Sequence, residues 1–202
     1  MTWIQVISYT SATGRLKKLY DRVKGPDDNI DNIMMAHSLR PHSMEAHMAV
    51  YKYLLHHSGN TLPKWYLEAI GVYVSWLNQC QYCVEHHFEG LVTELRGDRQ
   101  KADSIRSAFE PGNFEDVLNS KQAAGFAYAA MLTTNAADLS IADIDELRST
   151  GYDDGEILEV NQVTAYFNYA NRTVLGLGVD TEGDVLGLAP RNHNDPADWS
   201  HG

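Results

Sequence analysis

Apolar residues recur along most of the chain at three- and four-residue intervals, the spacing that lines one face of a helix. No run alternates apolar and polar positions with the β-branched content of a strand. The pattern predicts an all-α fold. Leu16, Leu19, Tyr20 and Val23 share a face over residues 11–23, and Gly25 with Pro26 ends that segment. Residues 29–39 read as a second helix, stopped before Pro41 because the residue preceding a proline disfavours the α region. Met44, Met48, Tyr51 and Leu55 mark a third, running up to Ser58, Gly59 and Asn60. Thr61 reads as an N-cap with Pro63 just inside the next helix, which turns Leu67, Ile70, Val74 and Leu77 inward.

The helical period continues over residues 84–95, and Gly97 with Asp98 opens a short polar helix to Phe109, ahead of a loop at Pro111, Gly112 and Asn113. Ser120 begins an Ala-rich helix to Met131. Ser140 and Asp143 form a capping box for a helix ending at Gly151. Residues 153–175 make the last long helix, closed by Gly176 and Gly178. The domain expectation is one helical unit over residues 1–180 and a polar tail over 181–202, rich in Asp, Asn, His, Pro and Gly, which calls for no regular structure.

Composition narrows the function. At 202 residues the chain can bury about 70% of the surface its unfolded form exposes, so it needs no disulfide to fold. A net charge of −11 repels phosphate backbones and anionic headgroups, which makes nucleic acid and membrane surfaces poor partners. The start has neither a basic n-region nor a small-residue cleavage site, and no stretch of 18 apolar residues occurs, so the expected compartment is the cytoplasm. In a reducing compartment a disulfide between the two cysteines, Cys80 and Cys83, would be catalytic rather than structural.

That pair carries the chemistry. With Cys80 in the first turn of a helix, Cys83 at i+3 and His87 at i+7 fall on one stripe and reach one small volume. Free backbone N–H groups and the helix dipole favour the thiolate there, and His87 is placed to accept or return its proton. Glu68 joins them only if the chain bends, because in an unbroken helix it lies about 18 Å from Cys80 along the axis. A break near Asn78 and Gln79 would let the helix ending there pack against the one beginning at Cys80, and periodicity does not fix whether that turn returns Glu68 as far as His87. On spacing alone the CxxC pair is open to three readings: redox chemistry, zinc binding, or an inert helical pair. Zinc would need a fourth ligand beyond Cys80, Cys83 and His87; His86 points about 100° away from His87, and no second CxxC or HxxxH completes a site. Glu156 is followed by Asn168 and Asn171 at the offsets that separate Glu68 from Cys80 and Cys83, either a duplicated unit without its thiols or a coincidence of two amphipathic helices.

The pattern Glu68-x11-Cys80-x2-Cys83-x3-His87 resembles the signature of the alkyl hydroperoxidase D and carboxymuconolactone decarboxylase superfamily, especially its peroxidase-related members. The likeness extends to residues 14–23, the turn at 39–41 and the segment 166–178, so that it covers residues 11–180. It implies an alkyl hydroperoxidase D-like helical bundle of duplicated hairpins, assembly as a trimer or hexamer, and thiol-dependent reduction of hydroperoxides without haem or flavin; no metal is expected, since the motif supplies at most three convergent ligands. It also implies the roles: Cys83 the peroxidatic thiol, Cys80 the resolving thiol, Glu68 and His87 a proton relay, and an unidentified dithiol or protein as electron donor. One position departs from alkyl hydroperoxidase D itself, which has His before the second Cys where this chain has Tyr82; a phenol does not titrate near neutral pH as an imidazole does. The alternatives are a carboxymuconolactone decarboxylase-like lyase, which has no need of CxxC, and a non-enzymatic redox sensor. His37, His42, His47, His56, His57, His193 and His201 are read as surface or core-edge residues, and Trp65, Tyr66, Tyr73 and Trp76 as core or subunit contact.

Overall fold

The computed structural model describes residues 2–25 and 28–189. Pro26 as a helix stop, and the tail beyond residue 189 with His193 and His201, lie outside these residues. Helices α1 (Gly14–Val23), α2 (Asn32–Ala36) and α3 (Pro41–Tyr51) are followed by a π-helical turn over Lys52–His56. After them come α4 (Lys64–Leu77), α5 (Gln81–Glu94), α6 (Arg99–Ser107), α7 (Ser120–Thr134), α8 (Ile141–Ser149) and α9 (Asp154–Leu177). There is no strand among the described residues, and none of their helices is long and apolar enough to cross a membrane.

Helix α4 is the centre of the bundle. Leu67, Ala69, Ile70, Val72 and Val74 are fully buried between α5, α7 and α9. Its aromatic content therefore builds the core: Tyr73 packs against Phe109, Phe114 and Phe126, and Tyr66 bonds Tyr152 at 2.7 Å, leaving only Trp76 substantially exposed. The capping boxes are formed at Ser140 with Asp143, at Asn119 with Gln122 and at Asp153 with Glu156. Gly178 ends α9 in the left-handed region.

Three local expectations differ. The second helix keeps only its middle, because Asp31 and His37 leave the helical track at either end. The third loosens from Lys52 into the π turn, which still carries Leu55 inward and takes His56 with it. Thr61 does not cap α4; its N–H and hydroxyl both bind the Glu159 carboxylate on α9, and Pro63 takes the N-cap place.

Gly71 sets the closeness of α4 to α9, since a Cβ there would lie 2.1 Å from the Phe167 ring. Gly71→Ala should therefore destabilise the protein by about 1–3 kcal/mol despite the better helix propensity of Ala, as measured by chemical denaturation.

Candidate active site

The turn between α4 and α5 builds the site. Gln79 N–H bonds the Trp76 carbonyl at 2.9 Å and Cys80 N–H bonds the Ser75 carbonyl at 2.8 Å, the paired bonds of a Schellman motif, with Gln79 in the left-handed region at φ +57°. Cys80 closes α4 and at the same time stands at the N-cap of α5. Asn78 braces the reversal by donating to both Asn168 and Asn171 on α9, at 3.0 and 2.9 Å. The break thus falls at Asn78 and Gln79, and in α9, where Asn168 and Asn171 hold the corresponding offsets, the helix runs on unbroken.

Because α5 returns antiparallel along α4, Glu68 and His87 face each other. Glu68 Oε2 lies 2.8 Å from His87 Nδ1, and Oε1 lies 3.5 Å from His56 Nε2. The carboxylate is 2% exposed. His87 also packs edge-on to Phe167.

Cys80 and Cys83 are buried free thiols, and Cys80 donates to Cys83 across 3.2 Å. Once a proton leaves, contact with the Cys83 thiol holds Cys80 below its ordinary value, with the Cys83 backbone N–H and the Asn171 carboxamide adding to this against burial. The Cys80 contact, then burial, raises Cys83 well above the ordinary value. The pair releases one proton readily and keeps the second, and a short sulfur–sulfur contact lets the charge reach either atom.

Only one of the two sulfurs belongs to the residue facing the enclosed space. Cys83, Glu68, His87, Tyr51 and Tyr166 line a cavity of about 60 Å³, room for a few waters or a small ligand. Cys80 instead borders a separate recess with Gln81, Glu85 and Val174. The cavity's further walls are residues the sequence reading did not select. His86 lines it, with Nε2 3.1 Å from Asp184 Oδ2. Tyr82 donates to the same oxygen at 2.8 Å and accepts from the Ile33 N–H, so the residue that departs from the alkyl hydroperoxidase D pattern serves as a brace. Asp31 also faces in; burial pushes its carboxyl up to about 6, opposed by His86 and helped by Asp184. Leu188 and Ala189 complete the wall, so residues 181–189 of the expected tail pack on the body through Asp184, Gly187 and Leu188.

His47 and His56 are buried rather than peripheral. His47 lines the cavity beside Tyr166, at 3.4 Å from its hydroxyl. For His86 the spacing i+3 from Cys83 put it one turn on from that thiol, although it points away from His87. For His47, Asp31 and Asp184 no local spacing announces the contact. Among the described residues no group of three or more His, Cys, Asp or Glu is arranged to hold a metal.

Solved structures share this architecture: the chain has the fold of the alkyl hydroperoxidase D core. An uncharacterized peroxidase-related protein of Ralstonia eutropha JMP134 with that core superimposes at TM-score 0.72 and 23% identity, over 89% of this chain and 91% of the other. A peroxidase-related protein of Silicibacter sp. TM1040 does so at 0.64 and 28%, over 75% and 78%. The debrominase Bmp8, solved as a cysteine-to-alanine variant with 2,3,4-tribromopyrrole, matches at 0.64 and 20%, over 90% and 91%. No family model and no curated protein matches the chain. The fold and the peroxidase-related likeness of the sequence pattern agree.

His47 gives the site a stability signature. Burial, and then the neighbouring His37 and His87, hold its imidazole down to about 3, from 6.5. Below pH 6.5 the unfolded chain binds a proton there that the folded protein does not, so stability falls as pH drops towards 3. Between pH 7.5 and pH 5, wild type should lose about 2 kcal/mol more than His47→Gln in urea titrations; equal losses would contradict a neutral buried ring.

Proposed function

We propose that this chain is a thiol-dependent hydroperoxide reductase in which Cys83 attacks the substrate. The observation that carries the reading is one small cavity shared by Cys83 and the hydrogen-bonded Glu68–His87 pair, with a second thiol 3.2 Å away. His87, oriented through Nδ1 by Glu68, takes the thiol proton with Nε2. The thiolate charge favours Cys80 at rest, yet exchange across the sulfur contact delivers it to Cys83, the residue that faces the cavity. Attack on the terminal oxygen of R–O–O–H breaks the O–O bond, leaves Cys83 as a sulfenic acid and releases the alcohol. Cys80 then condenses with it, forming the disulfide and water. An external dithiol returns the two electrons, and the recess beside Cys80 is the side from which it would approach.

A second reading has one observation in its favour. The cavity is walled by the rings of Tyr51, Tyr82, Tyr166 and His47, a surface suited to a flat aromatic. The same two thiols would supply the two electrons needed to replace carbon–bromine by carbon–hydrogen, as a debrominase must do. Turnover of tribromopyrrole faster than any hydroperoxide would select this reading.

Two sets of variants test the first. Cys83→Ser should abolish hydroperoxide consumption, whereas Cys80→Ser should still form a sulfenic acid at Cys83 that a dimedone-type reagent traps. Labelling of the Cys83→Ser protein alone would reverse the two roles. Glu68→Gln should stay folded and slow single-turnover oxidation of Cys83 by the 10²–10⁴ typical of a lost acid–base group. A rate within a few-fold of wild type would remove Glu68 from the relay.

A further inference from the structure

His86 is a cavity-lining imidazole to which the reduction described above gives no task. It stands one turn on from Cys83 on α5, about 100° round the helix from His87, and its ring is held on two sides. Nε2 meets Asp184 at 3.1 Å, and the Tyr82 ring packs on it with centroids 4.4 Å apart. Asp184 is itself firmly placed. Its side chain is 1% exposed, it accepts from Tyr82 at 2.8 Å and from the Asn32 N–H at 3.0 Å, and Asn32 in turn holds the carbonyls of Asp180 and Glu182. Gly187 then seats the segment on α5, where a Cβ would lie 2.7 Å from Glu89. The site thus holds two imidazole–carboxylate pairs on adjacent residues of one helix.

One such pair is spoken for. His87 lies beside the thiol and takes its proton. The displacement, however, needs a second proton elsewhere: attack in line with the O–O bond puts the departing oxygen on the side remote from sulfur, and an alkoxide is too basic to leave unprotonated. We infer that His86, positioned by Asp184, is the general acid that protonates the leaving oxygen, an inference that rests on the hydroperoxide reading. In the step, the Cys83 thiolate gives an electron pair to the terminal oxygen and becomes the sulfenic acid. The O–O pair passes to RO⁻, which takes the proton on His86 Nδ1 and departs as ROH. Nε2–H remains bonded to Asp184, which fixes the tautomer left behind. Condensation of the Cys80 thiol with the sulfenic acid then forms the disulfide and water, and the proton held by His87 returns to His86 through solvent. The groups facing His86 are Asp184, Tyr82, Asp31 and His87.

Leaving-group chemistry distinguishes this role from a structural one. Cys83 oxidation is followed under single turnover with tert-butyl hydroperoxide, whose alkoxide needs the proton, and with peracetic acid, whose carboxylate does not. His86→Gln should slow the first by about 10²-fold and the second by less than about 3-fold. Asp184→Asn should show the same selectivity at smaller amplitude. Parallel losses with both oxidants, or none, overturn the role of His86. Where a variant fails to fold, wild type itself answers: across substituted hydroperoxides its rate should vary little with leaving-group basicity, and a dependence as steep as that of a free thiol overturns the proposal. If wild-type Cys83 reacts with neither oxidant faster than a free thiol, the hydroperoxide reading falls and takes this role with it.

Discussion

A carboxylate almost wholly removed from water, as Glu68 is, has to be paired, because an isolated buried charge costs more than a domain of this size can sustain. His87 and His56 meet that demand from opposite oxygens. The requirement fixes the register of α5 on α4, since a helical step either way would carry the imidazole off the carboxylate. Register in turn places Cys83 one turn from His87, inside the same enclosed space. The Schellman reversal exists at the one point that allows this, and Gln79 accepts a left-handed conformation costing about 1 kcal/mol to make it.

The reversal also decides which thiol sees what. Cys80 ends one helix and caps the next, so it is bound into the joint itself, with Ser75, Asn78 and Asn171 around it. Cys83, three residues on, is carried round to the cavity. Two residues of the same type, 3.2 Å apart, therefore stand in different surroundings, and the difference comes from helix geometry rather than from the cysteines.

Much of this was legible in the sequence, and the limit has a physical origin. The 3.6-residue period fixes which side of each helix is apolar, so the buried positions on α1, α3 and α4 were readable, as were the cap at Ser140 and the stripe from Cys80 to His87. A break near Asn78 was also readable from the need to turn. The pairing of Glu68 with His87 was implied by the resemblance and not by spacing, because how far a turn returns the chain depends on what it packs against, here α9 through Asn168 and Asn171. Asp184 lay further out of reach. Its contacts with Asn32, Tyr82 and His86 span about a hundred residues or more, and a polar segment without periodicity gives no sign of them.

Those distant contacts make the cavity a property of the whole chain. Cys83, His86 and His87 all come from α5, and any α5-like helix with this spacing would present them. What it would not supply is enclosure: Tyr51 comes from α3, Glu68 from α4, Tyr166 from α9, and Leu188 from beyond the last helix. These walls reduce the solvent around the cavity, so a thiolate, an imidazole and a carboxylate there act on one another more strongly than on a surface helix. In this chain one helix presents Cys83, His86 and His87, while side chains from elements far apart in sequence determine the size and polarity of the space in front of them.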